Sequence, residues 1–427
     1  MRSLILTCLL TGTAFAQSYN ALGDAQLQAY LEQALEQNPQ ARQAFAQYQA
    51  ALAKLPQAAA LPDPTLAVTQ YVRTPETRVG PQTTMLSVSQ KIPFFGKRGD
   101  REGVASKEAE MHRHRYEAVR DEIIRQVKQA YYQLAYVDQV TIITGDDLSL
   151  LEQYETLAQA RYQQGVGLQQ SVVKLQAEIT RVQTKLVELR SHRGQLASNL
   201  NTLLDQPPAT SVSAVLIPNP PPVSLDYTAL ERAARDNRPE VQEAFLGIER
   251  DEKRYQLARR NRWPDVTLGA TFANVLARRD LAGVLNPPSQ NGKNIYGVSA
   301  SVNLPIWKDK YDAAIVEATE AETASREGYR NAVNSAEGQI HSIGFRLESL
   351  EDQIRLFTGT LIPQAEQALR TTEAAYSTGT LGVLDLLDSE RMLIQVRLGL
   401  AQYRSDLLQA MADMERAIGA PFPEVTP

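Results

Sequence analysis

Three landmarks in this chain occur twice, in the same order. Leu61-Pro62-Asp63-Pro64-Thr65-Leu66 returns as Trp263-Pro264-Asp265-Val266-Thr267-Leu268, and Lys91-Ile92-Pro93-Phe94-Phe95-Gly96-Lys97 returns as Asn303-Leu304-Pro305-Ile306-Trp307-Lys308-Asp309. Ala160-Arg161-Tyr162-Gln163-Gln164-Gly165 returns as Ala374-Ala375-Tyr376-Ser377-Thr378-Gly379. The offset is 202 residues at the first landmark, 212 at the second and 214 at the third, so the second copy carries a longer loop between its first two landmarks. Such self-similarity restricts the chain to folds made of two like units. The run Pro218-Asn219-Pro220-Pro221-Pro222 reads as a stiff, extended linker between them. The expected organisation is therefore repeat 1 over 17–217, a linker over 218–222 and repeat 2 over 223–427.

Within each half the hydrophobic period changes in a fixed order. It is two for Leu66, Val68, Val72 and again for Leu86, Val88, Ile92. The second half repeats this with Val266, Leu268, Ala270, Phe272 and then Tyr296, Val298, Ala300, Val302, Leu304, set against Thr, Ser, Gly and Asn. These segments predict four strands, at about 65–73, 84–92, 265–274 and 295–304, each with one apolar and one polar face. Their length and dyad pattern match an outer-membrane strand of roughly 9–11 residues.

After each strand pair the period becomes helical, which predicts long helical hairpins over 97–206 and 309–418. Val172, Leu175, Ile179, Val182, Leu186 and Leu189 skip Arg193 and resume at Leu196, Leu200 and Leu203. Adding 214 gives Leu386, Ser389, Leu393, Val396, Leu400, Tyr403, Leu407, Ala410, Met414 and Ala417, so both segments share one heptad register. A first helix of 97–164 would be about 100 Å long.

Composition removes several classes of function. No stretch after the first residues offers the roughly 20 consecutive apolar residues of a membrane helix. A net charge of -5 argues against nucleic acid as a partner. Arg2, the apolar run Leu4 to Leu10 and Ala14-Phe15-Ala16 before Gln17 read as a signal peptide over 1–16. Cys8, the one cysteine, would leave with it; Thr7 and the short run ahead of Cys8 argue against lipid attachment there. No disulfide framework and no cysteine-based metal or nucleophile site would remain.

Four amphipathic strands cannot stand alone in a bilayer, because open edges leave backbone groups without partners in lipid. Closure must come from several chains, and three chains make a twelve-stranded barrel; bacterial barrels begin at about eight strands. Trp263 and Trp307, at the helix-proximal ends of strands three and four, and Phe94 and Phe95 after strand two suit an aromatic belt against outer-membrane lipid. Ordinary packing at a strand-helix junction explains them equally well. The competing architecture is a soluble periplasmic coiled-coil scaffold or adaptor with two small hairpins, but both hairpins would then show an apolar face with nothing to cover it.

At this point the chain resembles the TolC family of outer-membrane efflux proteins. The resemblance rests on the paired strand-helix halves, on Pro62-Asp63-Pro64, on Ile92-Pro93-Phe94-Phe95-Gly96-Lys97-Arg98, and on Tyr376-x-x-Gly379 followed by Leu384-Asp385-Leu386-Leu387-Asp388. It implies a mainly α protein with a transmembrane β-barrel: a homotrimer whose twelve-stranded barrel continues as a long α-helical barrel in the periplasm. It also implies a periplasmic adaptor and an inner-membrane transporter of the resistance-nodulation-division (RND) type as partners, and the role of a passive exit duct. The strand-two exit is similar to that of the heavy-metal branch, which makes metal cations the favoured cargo; drug or solvent efflux and type I protein secretion are the alternatives.

Enzyme chemistry is not expected, nor is a cofactor or metal site. His112, His114, His192 and His341 show no metal-ligand spacing, and for His112 and His114, two apart on a predicted helix, solvated positions are the expected reading. Gly165-Val166-Gly167 lacks a preceding strand and reads as a helix-helix turn. The turns at Tyr162–Gly165 and Tyr376–Gly379 are candidate adaptor contacts, because family hairpin tips meet the adaptor; the alternative is that each tyrosine packs across its own turn. Asp385 and Asp388, three apart on one helix face, are a candidate cation-attracting gate at the periplasmic entrance, where the first half offers Ser171 and Lys174. Helix capping by Asp385 and a dipole contact by Asp388 are compatible with that role.

Overall fold

The computed structural model describes residues 24–422. The expected signal segment and Cys8 lie outside the described residues. Each half opens with a pair of helices that the period analysis did not single out: α1 (Ala25–Gln37) with α2 (Pro39–Leu52) and α3 (Lys54–Ala59) in the first half. Asp24 caps α1, its carboxylate accepting from the N–H groups of Gln26 and Leu27, and Pro39 cannot donate to α1, so a new helix starts there. The strands β1 (Thr65–Gln70), β2 (Glu76–Thr77) and β3 (Gly80–Ile92) follow, then the hairpin of α4 (Lys97–Gln163) and α5 (Gln169–Leu203).

The second half repeats the plan. Asp226 caps α6 (Tyr227–Asn237), and Pro239 starts α7 (Pro239–Arg260). Then come β4 (Val266–Val275), the short helix α8 (Leu281–Leu285), β5 (Ile295–Val302), α9 (Lys308–Leu356), a π-helical turn at Phe357–Leu361, α10 (Ile362–Thr378) and α11 (Val383–Ile418). The π turn falls where the repeat offset grows from 212 to 214, and such turns accommodate inserted residues within a helix.

The strand limits differ from the periodic segments. β1 ends at Gln70, before Val72, whereas β3 extends back to Gly80 because Glu76–Thr77 folds onto Gly80 and Pro81. Gly80 has φ +122°, and a Cβ there would stand 1.8 Å from the Leu276 carbonyl oxygen, so only glycine fits. The longer loop of the second copy, after β4, holds the helical turn α8, capped by Asp280.

The chain forms two compact units, each drawing on both halves. One comprises 46–113 and 243–331, centred on a sheet of order β1-β3-β4-β5 with antiparallel neighbours. The other comprises the described residues up to 45 together with 114–242 and 332–422, and it is helical. Its core includes Leu151 and Tyr154 of α4, Leu175 and Val182 of α5, Leu369 of α10, and Leu386 and Leu393 of α11. On α5 the buried positions Leu175, Val182, Leu189 and Leu196 recur every seventh residue, the spacing of coiled-coil packing. Arg193, the break in that pattern, reaches Asp138 on α4 at 2.5 Å and donates to the carbonyls of Val212 and Ser213.

Candidate functional site

The sheet register sorts the side chains into rows. Leu66, Val88, Ala270 and Val298 stand side by side, and so do Val68, Leu86, Phe272 and Tyr296. Between these apolar rows run polar ones, such as Thr65, Ser89, Gly269 and Ser299. In a water-soluble sheet the apolar face is the covered one. Here Leu66, Val68, Val88, Leu268, Val298 and Val302 are all exposed, and β1 and β5 are open edges. A four-stranded sheet with its apolar face bare matches the lipid-facing pattern of an outer-membrane barrel. No described helix is long and apolar enough to cross a membrane.

The two strand-boundary motifs meet at one junction. The Phe94 ring stacks on Trp263 with centroids 5.3 Å apart and 11° between planes. Beneath them the buried Lys97 ammonium donates to Asp265 at 2.8 Å and to the Trp263 carbonyl at 2.7 Å, while Asp265 also accepts the Phe94 N–H at 3.0 Å. Phe94 is thus packed within the junction. Phe95, Trp263 and Trp307 remain exposed and free to meet a lipid interface.

The two helix turns differ more than their sequences do. Gly165 (φ +77°) and Gly379 (φ +81°) both take the left-handed conformation that ends a helix. Tyr162 is 45% exposed, but Tyr376 is 6% exposed, its ring lying 5.2 Å from the guanidinium of Arg161. Arg161 also donates to the carbonyls of Tyr376 and Ser377. Tyr376 is therefore enclosed beneath Arg161 of the other hairpin and offers little surface to a partner, whereas Tyr162 is available.

Asp385 and Asp388 both lie exposed on the first turns of α11. Asp385 occupies the third helical position and accepts the Gly382 N–H at 3.0 Å, which is half of a capping box and not the N-cap itself. Asp388 is 3.8 Å from Arg391. Their exposure leaves both carboxylates free to act on ions in solution.

A polar cluster that the periodicity did not reveal lies close by. Glu178 of α5 is buried and pairs with Arg181 and with Arg391 of α11, the latter at 2.8 Å. Burial pushes its carboxyl up, but hydrogen bonds from the two guanidiniums outweigh this and hold it at about 2. Asp147 of α4 and Glu390 of α11, 6% and 2% exposed, face each other there, and Oδ1 of the first and Oε1 of the second are buried with no hydrogen-bond partner. Burial first and then the neighbouring Asp147 push Glu390 up to about 9, and burial raises Asp147 as well.

Among the described residues, no group of three or more His, Cys, Asp or Glu could hold a metal ion. Of the two histidines expected to be solvated, His114 is engaged instead, and so is His341. His341 stacks on Tyr227 at 4.5 Å and approaches Glu231 at 3.0 Å, and His114 lies 2.7 Å from Glu117; His192 is exposed.

Bare sheet, duplicated strand-helix plan and heptad hairpins together define an outer-membrane channel subunit. The chain belongs to the outer membrane efflux protein family, whose sequence profile matches residues 30–206 and 230–420. It is therefore a TolC-family protein of the outer membrane and not an enzyme. It is 21% identical over 415 residues, 96% of this chain and 94% of the relative, to the cobalt-zinc-cadmium resistance protein CzcC of Cupriavidus metallidurans. Nodulation protein T of Rhizobium leguminosarum is 22% identical, with 95% of this chain and 87% of that one aligned. The fold is similar to the outer membrane protein VceC of Vibrio cholerae (TM-score 0.77, 20% identity, 96% of this chain and 99% of that one). It is similar as well to CusC (TM-score 0.75, 19% identity, 93% of each chain).

Proposed function

We propose that three copies of this chain close a twelve-stranded barrel and form the exit duct of a tripartite RND-type efflux system, with heavy-metal cations as cargo. The observation that carries the assembly is the sheet: four strands, two open edges and an uncovered apolar face cannot persist in lipid without further strands. Mass measurement of the detergent-extracted protein should give three chains. A stable monomer retaining its full strand content would overturn the architecture.

Similarity to a cobalt-zinc-cadmium resistance protein over nearly the whole chain supports the cargo. Cells lacking this chain should lose tolerance to divalent transition-metal cations and regain it on complementation; unchanged metal tolerance with a new sensitivity to drugs would reassign the cargo. The adaptor docks at the turns 162–170 and 376–383, with Tyr162, Gly165 and Gly379 on the accessible surface and Tyr376 supporting its turn from within. Asp385 and Asp388 form the gate, six carboxylates at the entrance of a trimer, which attract cations through their summed field. Single-channel recording of Asp385→Asn/Asp388→Asn should show weaker cation preference and weaker block by multivalent cations. Unchanged selectivity and block would leave the aspartates a structural role only.

A further inference from the structure

Three carboxyls and two guanidiniums make up the polar cluster where α4, α5 and α11 meet: Asp147, Glu178 and Glu390 against Arg181 and Arg391. Both guanidiniums bind Glu178. Asp147 and Glu390 are left to each other, and one oxygen of each, Oδ1 of Asp147 and Oε1 of Glu390, is buried without a hydrogen-bond partner. Two carboxylates in contact cannot both stay ionised in such a place, because neither could donate a hydrogen bond and their charges would repel without water. A single proton removes both difficulties. It supplies the donor, and it brings three negative charges down to two, matching the two arginines.

We propose that Asp147 and Glu390 constitute a proton-binding site that holds one proton at neutral pH and thereby ties the first turns of α11 to α4. The groups facing the pair are few. α5 presents Glu178 and Arg181; α11 adds Arg391, with Asp388 beside it; α4 adds Tyr154, whose hydroxyl donates to Glu373 of α10. The site occurs once and bridges the two hairpins, since the repeat mates of Asp147 and Glu390 are Leu361 and Gln176. Glu390 lies two and five residues beyond Asp388 and Asp385, so the tie governs the segment that carries the proposed gate; that consequence, though not the site, rests on the gate reading.

The folded pair binds its proton more tightly than the unfolded chain does. Its contribution to stability is therefore full below the ordinary glutamate range, near 4.5, and is lost as pH rises through about 9.

Infrared spectroscopy of the full-length protein in detergent tests the site directly. A protonated-carboxyl carbonyl stretch is expected at pH 7, lost from the wild type on titration to pH 10 and missing from Glu390→Gln and Asp147→Asn at any pH above 6. Each amide variant keeps a donor for its partner, so hydrogen exchange of residues 383–395, corrected for intrinsic rates, should rise by about tenfold or more from pH 7 to pH 10 in the wild type and stay flat in either variant. Absence of the carboxyl band from the wild type, its replacement by a sodium-dependent stabilisation, or an equal pH response in Glu390→Gln would overturn the proposal. Asp385→Asn/Asp388→Asn should leave the band in place, so failure of the gate and failure of the proton site are separate results.

Discussion

The two helical hairpins share one heptad register, yet each buries a different edge of it. In α5 the buried positions include Leu175, Val182, Leu189, Leu196 and Leu200; the repeat mates Ser389, Val396 and Tyr403 of the first three are only half-buried, whereas Ala410 and Met414, the mates of the last two, are buried as well. In α11 the buried positions are Leu386, Leu393, Leu400, Leu407 and Met414, and the mates Val172, Ile179 and Leu186 of three of them are half-buried. Over 172–189 and 386–403, nearest the turns, the stripe is displaced by half a heptad between copies that align residue for residue; beyond that stretch the two stripes coincide. A heptad offers two apolar edges, and the neighbours within the chain decide which is closed. In the proposed trimer the half-closed edges are the ones left for adjacent copies.

Breaking the polar step in this pattern should have the largest effect. Arg193 stands at the mate of Leu407 and neutralises Asp138, which is buried and also accepts the Val215 N–H at 2.9 Å. Arg193→Ala should destabilise by about 3–5 kcal/mol, the cost of leaving one partner of a buried pair uncompensated. Thermal unfolding of the detergent-solubilised protein measures it, with the exposed Arg190→Ala as reference; equal losses would mean the ion pair contributes nothing.

The displaced stripe itself is tested next. Leu393→Ala removes a buried side chain and should cost about 2–5 kcal/mol, whereas Ile179→Ala at the half-buried mate should cost about half as much. Equal costs in the assembled protein would show that neighbouring copies close both edges alike, and that the asymmetry belongs to the single chain.

Periodicity made much of this fold legible because the period reports directly on which faces are alike. Alternation along Val266 to Phe272 and heptads along Val172 to Leu203 located sheet and hairpins. Strand ends were less legible: β3 reaches Gly80 through a backbone fit against Leu276 that no side-chain pattern encodes. The helix pairs α1–α2 and α6–α7 escaped notice because their apolar stripes are short, although Asp24 and Asp226 as caps and Pro39 and Pro239 as breaks, both duplicated, were readable signals. Asp147 and Glu390 left no trace, since a pair formed across distant helices has no spacing in sequence. For the same reason Tyr162 and Tyr376 looked equivalent until the position of Arg161 separated them.

The polar cluster between the two hairpins should give that seam an acid limb of its own. Glu178 is held at about 2 by Arg181 and Arg391, below its ordinary 4.5, so the stability it contributes is present above 4.5 and lost as pH falls toward 2. Solvent screening leaves about 1–2 kcal/mol of this at neutral pH. Unfolding midpoints between pH 2.5 and 5 should show the limb in the wild type and lose it in Glu178→Gln; a limb of the same size in both would assign it to other carboxylates.

The smallest effect on stability is expected at the turns, and it bears most directly on function. Tyr162 and Tyr376 occupy matching positions, but Arg161 lies over the second ring and closes it off, while the first has 45% of its surface free. Tyr162→Ala removes a side chain that packs little, and surface changes of that kind stay within about 0.5 kcal/mol. The gap between unchanged stability and lost binding is what identifies a contact residue. A cysteine at Gln164 should crosslink to the copurifying adaptor, and adding Tyr162→Ala should weaken that crosslink without shifting the unfolding midpoint. The corresponding cysteine at Thr378 should crosslink too, but its yield should respond to Arg161→Gln, which loosens the second turn from inside. Should Tyr162→Ala lower stability as much as a core truncation, the exposed ring would be a packing element after all, and the two turns would be alike in kind.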